Sequence, residues 1–93
     1  MIAVRPGRIL RRELAARQLS ANQLALALRL PSGRITDILN GKRGISPDTA
    51  LRLARYFGNG ARFWLSLQSA YELAVVEQET GQRIIDEVRP AAA

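Results

Sequence analysis

Arg34, Thr36 and Asp37 lie within four residues of one another and are side-chain types that read base edges in a duplex. A guanidinium donates two hydrogen bonds to guanine O6 and N7, a carboxylate accepts from the cytosine amino group, and a threonine methyl meets the thymine methyl. Other chemistry has little to work with here. The 93 residues include no histidine and no cysteine, which removes the commonest general base, the commonest metal ligand and every thiolate. The serines, the lysine and the carboxylates form no nucleophile and base pairing, so neither an enzyme nor a metal or cofactor site is expected.

A reading residue needs an element that buries its neighbours and leaves it outside, and the spacing around this run supplies one. Leu24, Ala25 and Leu28 form one helical stripe, and Ile35, Ile38 and Leu39 form a second. Ser20 followed three residues later by Gln23 has the form of a capping box, so a helix is expected from about Ala21. Pro31 favours an extended Leu30 and breaks the chain, with a new helix carrying Pro31 or Ser32 near its first turn. On that helix Gly33, Thr36, Asp37 and Asn40 point away from the second stripe and Arg34 lies on its flank. Gly41 supplies a left-handed stop. Two short helices joined by a tight bend form a helix-turn-helix, which holds a reading helix in the major groove. An ordinary helical hairpin with a solvated polar face has the same two stripes. Arg29 stands in the bend; a positive φ there costs roughly 1 kcal/mol.

Charge separates these readings. Residues 1–44 hold nine basic side chains against two acidic ones, a net +7, whereas residues 45–93 hold five against six, a net −1. All the excess positive charge therefore accompanies the bihelical segment, and a polyanion is the natural partner. The loop Lys42-Arg43-Gly44 leaves the reading helix where it can lie along a phosphate backbone, which positions a protein without specifying sequence.

Around this segment the chain reads as all-α and as one domain over residues 1–93, with a core in 5–57, a long helix over 61–79 and a tail over 80–93. Met1 to Arg5 forms an arm, and Pro6 suits the first turn of a helix whose Ile9, Leu10 and Leu14 share a face flanked by Arg8, Arg11, Arg12 and Arg17. Glu13 pairs with Arg17 at i,i+4, and Leu19 packs back on Leu24. Ser46, Pro47 and Asp48 open a further helix with core positions at Ala50, Leu53, Ala54 and Phe57, ended by Gly58-Asn59-Gly60. The long helix is apolar over a wide arc that includes Phe63, Trp64, Leu67, Ala70, Tyr71, Ala74 and Val75. That is more than a small domain needs, so part of it is expected to cover an identical subunit. Gly81 interrupts, and Ile84, Ile85 and Val88 suggest a last short helix or strand. No apolar run approaches the roughly 18 residues of a membrane span and the first ten residues lack a signal-peptide core, so a cytoplasmic protein without a membrane partner is expected.

The string GRITDILNGKRGISPDTALRLARYFG, followed by ARFWLSLQSAYEL, resembles the HigA family of antitoxins, small relatives of the Cro and lambda repressors. The opening RPGRILRREL is similar to the family's first helix, so the resemblance spans about residues 5–75. It implies a five-helix, lambda-repressor-like fold with a short C-terminal extension, and a homodimer on a palindromic operator in its own promoter. It also implies a HigB-like partner toxin, a ribosome-dependent mRNA endonuclease neutralised in the complex. By the same resemblance Ser32, Gly33, Arg34, Thr36 and Asp37 face the bases, Asn40, Lys42 and Arg43 touch the DNA backbone, and Ser20 opens the supporting helix against a phosphate. Such a protein would sit on the nucleoid. Two positions depart from the repressor pattern: Ala21, where many relatives carry a DNA-contacting glutamine, and Arg29, where they carry glycine. A stand-alone repressor without a toxin, or a protein-sequestering module with a vestigial reading motif, would share much of this sequence.

Overall fold

Pro6 opens α1 (Pro6–Ala16) at the position where a missing amide is harmless, and Leu10 and Leu14 turn inward from it. The computed structural model describes residues 4–92, and among these five helices and no strand carry the chain. The expected arm falls mostly outside the described residues; Val4 and Arg5 are exposed, Arg5 with an extended backbone. No glycine ends α1. Gln18 takes a left-handed φ of 54° instead, and the Leu19 amide donates to the Leu14 carbonyl at 2.9 Å. Arg17 pairs with Glu13 and lays its guanidinium 4.6 Å from the Phe57 ring centroid, joining the end of α1 to the end of α4.

α2 (Ala21–Leu28) and α3 (Arg34–Leu39) follow, then α4 (Pro47–Phe57), which opens on Ser46, whose hydroxyl oxygen accepts from the Thr49 amide. Leu10, Leu24, Ile35, Leu53 and Trp64 are fully buried, one from each helix, and meet in a single apolar cluster. Trp64 reaches that depth because its indole N–H donates to Asn59 Oδ1 at 2.9 Å, so no polar group is left dry and unpaired. The core therefore extends past the expected limit at residue 57. Phe57 packs against it half-buried, and Ala54 is half-buried on the same helix.

α5 (Ala61–Glu87) differs from expectation. It runs unbroken through Gly81 to Glu87, with neither a stop at 79 nor a separate element after it. A glycine inside a helix costs about 1 kcal/mol. Against this stand the Gln82–Asp86 and Arg83–Glu87 pairs at i,i+4 and the regular ladder on both sides. At 27 residues the helix is about 40 Å long, so its distal half leaves the cluster. The radius of gyration is accordingly 16.2 Å, against about 12 Å for a compact chain of this length. Among the described residues no helix is long and apolar enough to cross a membrane.

Candidate nucleic-acid interface

Local rules place the first half of the site. Ser20 accepts from the Gln23 amide at 3.0 Å while its own amide donates to Gln23 Oε1 at 2.8 Å, the reciprocal cap that the sequence signalled. The cap uses a lone pair of the Ser20 hydroxyl and leaves its proton for an outside acceptor such as a phosphate oxygen. α2 ends at Arg29, which sits in the left-handed region at φ 60° and ψ 40°, and the Leu30 amide closes the turn on the Ala25 carbonyl at 2.9 Å. A tertiary contact fixes the same bend: Arg52 Nη1 donates to the Leu28 carbonyl at 2.8 Å, with Nε held by Asp48 at 2.8 Å.

The reading helix starts later than its sequence suggests. Pro31 and Ser32 belong to a turn, closed by the Arg34 amide on the Pro31 carbonyl at 3.1 Å, and Gly33 leaves it at φ 87°. No α-helix contains that φ, so α3 begins at Arg34 and Ser32 and Gly33 stand exposed just before it. From there the expected faces appear. Ile35 and Ile38 are buried and Leu39 half-buried, while Thr36 and Asn40 are exposed and Arg34 and Asp37 half-buried along the boundary. Asp37 lies in the first turn of α3, where the helix dipole favours its charge.

α3 is seated by a close approach that no local pattern announces. Gly7 of α1 lies against its last turn; a methyl there would overlap the Ile38 carbonyl oxygen and come within 3.0 Å of Leu39 Cα. At the far end Gly41, at φ 74°, turns the chain, and the Lys42 and Arg43 amides donate to the Asp37 carbonyl at 2.8 and 3.3 Å. These bonds tie the basic loop to the helix while the Lys42 and Arg43 side chains remain exposed. Arg5 adds a further cation, since a methyl built on Gly41 would lie 3.1 Å from its Nη1. The loop is also held from behind, because the Ile45 amide donates to Gln68 Oε1 on α5 at 2.8 Å.

The residues named for base contact and for the phosphate-facing loop are thus contiguous around α3, and Ser20 stands at the head of α2. Gly7, Arg52 and Gln68, which hold the motif in place, escape sequence reasoning. The i,i+4 spacing of Asp48 and Arg52 is the one local signal available for any of them, and it points along α4 and not toward α2.

A short helix offered by its polar edge, with cations at its trailing loop, defines a DNA-reading bihelical fold. Residues 10–64 match the helix-turn-helix family. Virulence-associated protein I of Dichelobacter nodosus is 51% identical over 80 residues, covering 85% of this chain and 74% of that protein. An addiction module antidote protein of a HigA family from Coxiella burnetii is 48% identical with a TM-score of 0.93, covering 98% of this chain and all of the other. Antitoxin HigA of Pseudomonas aeruginosa, solved with the higBA promoter, is 41% identical at the same TM-score and also covers 98% of this chain. The chain belongs to the helix-turn-helix family and, within it, to the HigA antitoxins.

Proposed function

We propose that the protein is a sequence-specific DNA-binding antitoxin that represses its own operon as a homodimer and neutralises a HigB-like mRNA endonuclease. The observation that carries the DNA half is the division of α3, with Ile35 and Ile38 inside and Arg34, Thr36, Asp37 and Asn40 along the outer edge that ends in the Lys42-Arg43 loop. In this reading Arg34 takes a guanine, Asp37 a cytosine amino group and Thr36 a thymine methyl, with Ser32 and Gly33 at the point of entry. Ser20, Asn40, Lys42 and Arg43 meet phosphates and set the register. Two copies place their reading helices about 34 Å apart on one face of the duplex, which calls for a palindromic operator. The structure of the Pseudomonas aeruginosa HigA with the higBA promoter supports the DNA-binding half of this reading, and the antidote family of the Coxiella burnetii protein supports the toxin partner. The site of action is the cytoplasm, at the nucleoid.

Footprinting on the chain's own upstream DNA tests the proposal, with and without the neighbouring gene product. A symmetric protected site is expected, and a neighbour encoding a ribonuclease should co-purify. Arg34→Ala should weaken operator binding by about 1–3 kcal/mol and relax preference at one base pair per half-site. Lys42→Ala should weaken every duplex alike and lower the magnitude of the salt slope by about one. Weak, salt-labile binding without a footprint would instead identify a sequestering module.

A further inference from the structure

The basic loop after α3 is anchored to α5 by one side chain, and that side chain is itself anchored. Gln68 Oε1 accepts from the Ile45 amide at 2.8 Å, and Gln68 Nε2 donates to Glu72 Oε1 at 2.8 Å. Only one orientation of the amide satisfies both partners, since the Ile45 N–H needs an oxygen and the Glu72 carboxylate needs a donor. Gly44 leaves room for the arrangement. A methyl on it would stand 2.8 Å from Gln68 Nε2 and 2.9 Å from Cδ, so any larger residue displaces the amide. Ile45 is buried, which fixes the far end of the loop, and the bonds of the Lys42 and Arg43 amides to Asp37 fix the near end.

We propose that Gln68 is a positioning residue for DNA binding: through Ile45 and Gly44 it sets the path of the loop that carries Lys42 and Arg43 to the phosphates, with Glu72 holding its amide in register. The proposal rests on the reading of that loop as a backbone contact. It places a determinant of DNA affinity on the helix remote from the reading motif. A loop released at Ile45 keeps both cations but not their spacing, and phosphate contacts depend on spacing because each pairs one cation with one site along the duplex.

Gln68→Leu keeps the side chain's bulk and removes both hydrogen bonds, whereas Gly44→Ala leaves Gln68 intact and pushes its amide away. Each variant is expected to bind operator and unrelated duplex 3- to 10-fold more weakly, with the same preference between them, and to lower the magnitude of the salt slope by about one or two. The paired exchange Gln68→Glu with Glu72→Gln keeps net charge and rebuilds the network with the donor and acceptor of the second bond reversed. The carboxylate introduced at position 68 would accept both from the Ile45 amide and from the side-chain amide introduced at position 72, so slope and affinity should return. Loss of stability alone does not change a salt slope measured well below Tm, so circular-dichroism melts of each variant fix the temperature of the binding assays. An unchanged slope in Gln68→Leu, or a loss that the paired exchange fails to restore, overturns the proposal. Lys42→Ala with Arg43→Ala is run alongside. If that pair leaves the slope untouched, the reading of the loop as a phosphate contact fails and takes this proposal with it, whereas a reduced slope there and none in Gln68→Leu removes the role of Gln68 only.

Discussion

α3 and the distal half of α5 are both helical, and they are helical for opposite reasons. α3 has six residues, well short of the roughly 12–15 at which an isolated helix becomes even marginal in water. It exists because Ile35 and Ile38 are buried against α1 and α2 and because its two ends are tied off by neighbours. α5 has 27 residues, of which Trp64 alone is buried, and beyond Gln68 it is carried by its own length and by side-chain pairs one turn apart. A helix fixed by tertiary contacts has one position in space, which a reading helix requires. A helix fixed by local sequence can project from the domain, leaving Leu73, Val76, Ile84 and Ile85 without a partner in the chain.

Gly7→Ala should break the first half of this comparison with the largest effect. The added methyl meets backbone and not a movable side chain, so α1 and α3 must part. About 1–3 kcal/mol of stability should be lost, read as a lower urea midpoint at unchanged slope. Operator affinity should fall as well, because α3 loses its seat even in molecules that remain folded. A variant as stable as the parent would mean that α3 is held mainly by α2.

Arg29→Gly gives a smaller effect of opposite sign. Arg29 holds φ 60° with its side chain exposed, so nothing in the fold requires a Cβ there. Relief of the left-handed conformation, set against the extra freedom of glycine in the unfolded chain, should raise stability by about 0.5–1 kcal/mol. Thermal or urea melts measure it. No gain would show that Schellman-type closure on Ala25 already offsets the strain.

What could be read from the sequence divides along the same line. The caps at Ser20 and Ser46, Pro6 at the head of α1, the left-handed bend at Arg29 and the stop at Gly41 are closed by backbone and cap partners no more than six residues away, and they appear where spacing puts them, Arg52 only adding to the bend from outside. The outer edge of α3 was legible too, because Ile35 and Ile38 fix which way Thr36 and Asn40 face. Errors came where two local rules compete. Pro31 suggests a helix start, but Gly33 takes a conformation only a turn can use, and α3 begins after it. Gly81 suggests a break, but the turns on either side carry enough pairs to continue through it. The contacts of Gly7 with Ile38, Arg52 with Leu28 and Gln68 with Ile45 join residues more than twenty positions apart, and no periodicity records such a separation.

The smallest effect on the fold should come from the distal half of α5, and for that reason it sharpens the comparison most. Leu73 is 60% exposed and Ile84 is 46% exposed, so Leu73→Ser with Ile84→Ser removes little that the single chain buries. The melting midpoint, taken at protein concentrations low enough to keep subunits apart, should move by no more than about 0.5 kcal/mol in equivalent stability. The sedimenting mass at micromolar concentration is the informative quantity. A strip of leucine and isoleucine repeated along one side of a projecting helix buries its area only against another molecule. If the second subunit of the proposed homodimer is that molecule, the doubly substituted chain should sediment at half the parent's mass, and its operator footprint should weaken because two half-sites are no longer bound by one particle. A dimer that survives the two serines would put the subunit contact on the compact half. The distal strip would then be free for the proposed toxin, and retention of a co-expressed HigB-like ribonuclease on the substituted chain decides that directly.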